Sequence, residues 1–496
     1  MSREQNPYDI LGVPHTATTE EIKAVYRRIA RRLHPDVNPS HPAASAQFQD
    51  IVRAYELLID PGRRQAVDQQ LNRSEDGFIF SLQVTPSKRQ VVPLPEPQVI
   101  YLLADILPDP RAQEIVNRGE TRLNLTLVLD HSNSMAGTRI EKVKIAAHQI
   151  IDNMGSNDIL SIIVFNDRAE TIIPATPLKD RPALKAKVSM ISPSGGTEIF
   201  QGLAAGVKEN REYLSPNMVN HIILLTDGHT FGDQDECIDL AVQAARDGIG
   251  ISAMGLGHDW NDQFLDTLAS KTGGSSEYIT SAGGVVRFLN DHVRNLSSAF
   301  AERLRLSVAP DADVVLESAF KLAPHPQPME FEDGELLLGG LQLNRHISVL
   351  LQIQLPSGMQ EGPRGIARLV ASGDIFTNRH QQHLSVCDVS LDVSADAESE
   401  SPPDSILDAL SKLTLYRLQE RAQQALEHGD VTEATRRLEN LATRLLAMGQ
   451  EELAGQALSE ARRVAHTKEL SDKGRKTLKY QTRHLLIGTN NEDLSQ

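Results

Sequence analysis

Apolar residues recur at three- and four-residue steps through "TATTEEIKAVYRRIARRL", where Ile22, Val25, Tyr26, Ile29 and Leu33 align into one stripe. The spacing predicts an amphipathic helix, with Thr18 or Thr19 as cap and Glu20 and Glu21 at its positive end. "HPDVNPSHP" must break it, because the proline after His34 disfavours helical geometry. A second helix, "ASAQFQDIVRAYELLID", offers Phe48, Ile51, Ala54, Tyr55 and Leu58 to the first. An antiparallel all-α hairpin follows, with His34, Pro35 and Asp36 at its tip. Lys23, Arg27 and Arg31 lie four apart, and with Arg28 and Arg32 they form a basic outer strip.

Further on the period changes. After a stretch of turns and short extended pieces, "LNLTLVLD", "ILSIIVF", "VNHIILLTD" and "IGISAMGLG" read as buried strands, separated by segments of helical periodicity. Continuous apolar strands alternating with helices predict a doubly wound α/β domain whose parallel sheet is covered on both faces. Beyond residue 301 short alternating strands predict an antiparallel, sandwich-like β domain. "SADAESESPPDS" reads as an acidic linker, and the last segment as helical hairpins stopped at Gly429 and Gly449, with Asp430 and Glu433 as a capping pair.

The chain is thus expected to be multidomain: a helical module over 1–70, a linker with short extended segments over 71–122, and the α/β domain over 123–301. The β domain follows over 302–394, the acidic linker over 395–404, helices over 405–488 and a disordered tail over 489–496. The hairpin and the α/β domain are expected to fold separately and to communicate by being tethered.

Composition narrows the function. The 496 residues carry a formal net charge of −16, which opposes nonspecific nucleic-acid binding by the whole molecule. No apolar run approaches the roughly 20 residues of a membrane span, and the amino end has no secretion-signal pattern. Cys237 and Cys387 are too few for a disulfide framework or a cysteine-rich zinc site. A cytoplasmic location is expected.

"YDILGV", the basic helix, "HPD" and "FQDIVRAYELLIDPGRR", in this order and spacing, resemble the J domain of DnaJ-type co-chaperones. The resemblance implies that His34, Pro35 and Asp36 trigger ATP hydrolysis by a DnaK-type chaperone, while Lys23, Arg27, Arg28 and Arg31 steer docking onto its acidic surface. Val67-Asp68 departs from the tyrosine-aspartate often found late in that module. No Gly/Phe-rich tract and no CxxCxGxG repeats follow, so whatever selects a client lies downstream.

Polar residues gather at the strand ends of the α/β domain, where such sheets bind ligands. Asp130, Ser132 and Ser134 occupy every second position, so their oxygens share one side of an extended backbone. "PSGGTEIF" sets Thr197 where a glycine-rich loop enters a helix, and "LLTDG" sets Asp227 at the end of a later strand. Oxygen donors with few carboxylates suit a small hard cation that keeps some water; magnesium fits best, and manganese could replace it. The arrangement resembles the metal-ion-dependent adhesion site of the von Willebrand factor type A domain. That resemblance implies coordination by Ser132, Ser134 and Thr197, a direct or water-mediated role for Asp130 and Asp227, and an acidic side chain of an unknown protein partner in the remaining position. His131 and Asn133 are expected on the loop surface, and Trp260 in packing.

The reading is therefore a non-enzymatic co-chaperone and adaptor. It recruits a DnaK-type ATPase through one module and a protein ligand through a magnesium-dependent other. Two alternatives stay open: a metal-dependent hydrolase using Asp130 and Ser132, and a regulator of an AAA+ machine. Against the hydrolase, the sequence has no G-x-S-x-G elbow and no phosphate loop of the G-x-x-x-x-G-K-[ST] kind.

Overall fold

The computed structural model describes residues 7–11, 13, 17–33, 42–64, 67, 79–109, 122–229, 232–331, 334–376, 381–397 and 401–487. The described part of the amino-terminal module includes α1 (Pro7–Leu11), α2 (Thr19–Leu33) and α3 (Pro42–Ile59). Thr18 is the cap of α2: its hydroxyl accepts from the Glu21 amide at 3.3 Å, and the Glu21 carboxylate accepts from the Thr18 amide at 2.6 Å. Tyr8, Leu11, Ile22, Ile29, Ile51, Ala54 and Leu58 are buried together, and Tyr26 stacks on Tyr55 with ring centroids 3.9 Å apart.

The segment 71–122, expected to be a linker, contains the first strands of the β domain. These are β1 (Phe80–Pro86), β2 (Gln90–Val91) and β3 (Gln98–Pro108). β1 pairs with β3, and β3 pairs antiparallel with a strand that arrives only at Ile347. Local pattern shows an extended apolar piece in "QVIYLLADIL", but a partner some 240 residues away leaves no trace in a local window.

The α/β domain is inserted after β3. It runs β4 (Arg122–Asp130), α4 (Thr138–Asn153), β5 (Ile159–Phe165), β6 (Ala169–Pro177), α5 (Arg181–Ser189), α6 (Ile199–Arg211), β7 (Met218–Thr226), α7 (Gln234–Arg246), β8 (Ile249–Leu256), α8 (Asp262–Ser270), β9 (Ser276–Ile279) and α9 (Ala282–Ser297). The sheet order is β6-β5-β4-β7-β8-β9. The four expected strands are fully or nearly fully buried and pair in parallel. The sheet as a whole is mixed, because β6 returns antiparallel along β5. β6 is an edge strand with only Ile173 buried, so it has no continuous apolar run to announce it.

The chain re-enters the β domain at Ala299, three residues before the expected boundary. The strands are β10 (Ala299–Pro310), β11 (Val315–Ala323), β12 (Gln327–Met329), β13 (Glu335–Gln342), β14 (Ile347–Leu355), β15 (Gly362–Ile375) and β16 (Gln381–Val393). They form two five-stranded sheets, β1-β3-β14-β11-β12 and β13-β10-β15-β16-β2, whose inner faces share one apolar core.

The helical module does not hang on a tether. Ala309 of β10 lies in its apolar core, Leu384 of β16 packs against it, and the buried Arg368 of β15 donates from Nη2 to the Ile10 carbonyl at 2.5 Å. At the other end come α10 (Asp404–Glu427), α11 (Val431–Ala447), α12 (Glu451–Thr467) and α13 (Asp472–Ile487). Gly429 and Gly449 follow α10 and α11 with φ of +80° and +73°, and the Glu433 amide donates to Asp430 Oδ1 at 2.9 Å. α10 covers the outer face of the first sheet through Ile406, Leu413 and Tyr416 against Leu103, Phe320 and Leu350. The expected tail, 489–496, lies outside the described residues.

Candidate functional site

The carboxyl ends of β4 and β7 meet in a cluster of oxygens. Asp130 is fully buried; its Oδ1 accepts from the Ser132 amide at 2.8 Å and its Oδ2 from the Thr226 hydroxyl at 2.7 Å. The Ser132 and Ser134 hydroxyls are 2.9 Å apart, and Ser134 donates to Asp227 Oδ1 at 2.6 Å. Thr197 arrives on the loop before α6. A Cβ at position 228 would stand 3.1 Å from its hydroxyl, so Gly228 leaves the room that Thr197 uses beside Asp227. The expected residues Asp130, Ser132, Ser134, Thr197 and Asp227 therefore share one place in the fold.

The two carboxylates at this place act on each other. Burial raises the Asp130 carboxyl above its ordinary range, hydrogen bonds from Ser132 and Thr226 oppose that, and the neighbouring Asp227 adds to it. A further residue enters that sequence reasoning did not single out: Arg139, on the first turn of α4, pairs its Nη1 with the buried Asp227 Oδ2. Its other terminal nitrogen lies near Gly257 at the end of β8, where a Cβ would approach to 3.1 Å. A basic residue five positions after Ser134 is the signal that could have found it. The donor set fits a small divalent cation: two carboxylates and three hydroxyls converge, and Ser134 is exposed, which leaves one side open to a ligand. No histidine bonds to Ser132 or Ser134 among the described residues. His131, half-buried, places its Nδ1 2.9 Å from the Ser192 carbonyl instead.

The basic strip is the second candidate surface. Arg27, Arg28 and Arg31 are exposed on α2, and Lys23 is half-buried beside Glu20 at 3.1 Å. His34, Pro35 and Asp36 lie outside the described residues.

Trp260 is wholly buried and packs, as expected. Its Nε1 donates to the Gly257 carbonyl at 2.9 Å, and Lys476 of α13 lies 4.7 Å from its ring centroid. α13 grips the α/β domain through charge. Asp262 meets Arg475 and Lys479, each at 2.6 Å, and Asp266 meets Lys479 at 2.8 Å and Arg483 at 2.5 Å. His428, His466 and His484 are exposed, and His484 reaches to 3.7 Å from Glu277.

Fold and site together define a multidomain protein with an α/β domain set into a β sandwich and a helical hairpin module in front. Comparison with known families agrees. Residues 6–68 match the DnaJ domain, residues 124–286 the von Willebrand factor type A domain, and residues 404–488 the Sll0103-like, C-terminal alpha-helical domain. The chain carries a J domain fused to a type A domain. An uncharacterized protein of Synechocystis sp., sll0103, is 31% identical over 241 residues, covering 47% of this chain and 57% of that protein. Chaperone protein dnaJ 39 of Arabidopsis thaliana is 48% identical over 66 residues, or 13% of this chain and 16% of that one. The chain thus spans little more than half of the first relative and a sixth of the second. Among solved structures, a von Willebrand factor type A protein from Catenulispora acidiphila matches 82% of this chain and 98% of its own, with TM-score 0.66 and 14% identity. The ArnB paralog VWA2 from Sulfolobus acidocaldarius matches the same shares with TM-score 0.52 and 16% identity. These two share the fold.

Proposed function

We propose that the chain is a co-chaperone and adaptor. Its J domain recruits a DnaK-type ATPase and stimulates it through His34, Pro35 and Asp36, with Lys23, Arg27, Arg28 and Arg31 steering the encounter. Its type A domain holds magnesium, or manganese, on Ser132, Ser134 and Thr197, with Asp130 and Asp227 completing the set directly or through water. The bound cation would supply a positive centre for an acidic side chain of a protein ligand. One observation carries the reading: the exposed arginines of α2 and the open side of the oxygen cluster are separate accessible surfaces on one chain.

The geometry disfavours the hydrolase. Ser132 and Ser134 bond to each other, the Asp227 carboxylate that accepts from Ser134 is held by Arg139, and no histidine bonds to either serine among the described residues. Regulation of an AAA+ machine would use the same metal surface with a different partner.

The decisive experiment assays two variants for two activities. His34→Gln is expected to abolish stimulation of a cognate DnaK-type ATPase while magnesium-dependent capture of a ligand persists. Asp130→Ala is expected to do the reverse. Stimulation by His34→Gln at the parent rate would refute the J-domain half, and magnesium binding by an Asp130→Ala, Ser132→Ala double variant at parent affinity would refute the metal half.

A further inference from the structure

At the opposite end of the parallel strands from the metal cluster, a cavity of about 90 Å³ lies between the base of the type A domain and the sandwich. His221 near the start of β7 and Gly250 near the start of β8 line it from one side, and Lys321 of β11 from the other. The junction is closely fitted, for Gln327 donates across it to the Gly274 carbonyl at 3.1 Å.

Three polar groups on this wall are incompletely satisfied. Lys321 is 3% exposed; its Nζ donates to the Leu338 carbonyl at 2.7 Å and makes no ion pair among the described residues. An ammonium has three donors, and a buried cation with no contact ion pair is costly. Burial pulls its pKa down to about 8, which still leaves it protonated at neutral pH. The Ser275 hydroxyl and His292 Nε2, on residues 3% and 8% exposed, have no hydrogen-bond partner among the described residues. Glu302 lines the same space and acts on Lys321 as an opposite charge from beyond ion-pair distance, while burial pushes its own carboxyl up to about 7.

We propose that this cavity is a binding site for a small oxyanion, a carboxylate or a phosphate, held by Lys321 from the sandwich and by Ser275 and His292 from the type A domain. An anion neutralises the lysine, accepts from the serine and from the imidazole, and bridges the two domains. Water alone would satisfy the hydroxyl and the ring but leave the ammonium without a contact ion pair. A metal ion does not suit the same wall. No group of three or more histidine, cysteine, aspartate or glutamate side chains placed to hold a metal occurs among the described residues.

The test uses the full chain in chelator, so that the metal site plays no part. Inorganic phosphate and acetate are titrated separately against chloride at constant ionic strength, with melting temperature and calorimetric heat recorded. The expected result is a saturable response to at least one of them, and the stronger of the two identifies the head group. Lys321→Met keeps the volume and should weaken that affinity at least tenfold. Ser275→Ala barely changes the packing and should weaken it roughly three- to tenfold, which keeps the test alive should the lysine variant not fold. No saturable response to either anion would mean a water-filled cavity and overturn the proposal, as would parent affinity in both variants.

Discussion

Arg483 grips Asp266 with both ends of its guanidinium: Nη1 lies 3.0 Å from Oδ1 and Nη2 lies 2.5 Å from Oδ2. The two residues are 217 positions apart and join the last helix to the type A domain. Burial alone would raise the Asp266 carboxyl, but Arg483 and Lys479 outweigh it and hold the group well below the usual carboxylate range. Arg483 is 4% exposed. Arg483→Met should therefore leave a buried carboxylate short of its partner and cost about 3–5 kcal/mol, read from the urea midpoint at pH 7. A cost below about 1 kcal/mol would show that the pair carries little of the docking.

The same network sets an acid limit. For Asp262, Lys479 and Arg475 likewise outweigh burial, so both aspartates have folded pKa values below the ordinary 3.8. A depressed carboxylate contributes stability that is complete above its unfolded value and lost as pH falls below it toward the folded one. Melting temperature should hold from pH 7 to about 5 and fall steeply below about pH 4. An Asp262→Asn, Asp266→Asn variant should be less stable at pH 7 and show a flatter fall; an unchanged acid limb would contradict the assignment.

Arg139 occupies Asp227, so a cation bound there would have to compete with it. Arg139→Gln should bind magnesium several-fold more tightly than the parent by isothermal titration, since the metal no longer displaces a guanidinium. Equal or weaker binding would mean that Arg139 supports the site instead.

Gly255 of β8 faces the indole of Trp260, and a Cβ there would come within 2.0 Å of the ring. Gly255→Ala must push the ring or the strand aside and should cost about 1–3 kcal/mol, with a shift in tryptophan fluorescence because Trp260 is the only tryptophan. An unshifted spectrum at parent stability would show that the ring has room to move.

Arg368 ties the J domain to the sandwich. Arg368→Met should accelerate amide exchange across residues 7–11 while exchange in β14 and β15 stays at the parent rate. Equal protection of α1 in both proteins would mean that the apolar contacts of Ala309 and Leu384 suffice.

Much of this was legible in the sequence. Period and caps located α2, α3 and the four buried strands, and the spacing Asp130, Ser132, Ser134 announced a shared face because alternation in a strand is a local property. What stayed hidden depends on distant pairing. β6 lacks an apolar run, β3 waits for β14, and Lys321 reads as one polar residue among strands until the type A domain closes over it. Arg139 was overlooked because its partner, Asp227, lies 88 positions away.

Insertion of the type A domain between β3 and β10 also fixes an order of events during synthesis. Ile106 must wait for Ile347, roughly 240 residues later, before it gains its strand neighbour. At about 5–20 residues per second that delay is roughly 12–50 s. Throughout it the β1–β3 hairpin shows an open edge to the crowded surroundings of the ribosome, while the inserted domain can already close on itself. A chain stopped after residue 298 would carry that edge permanently, and it is expected to associate with copies of itself in sedimentation where the full chain does not.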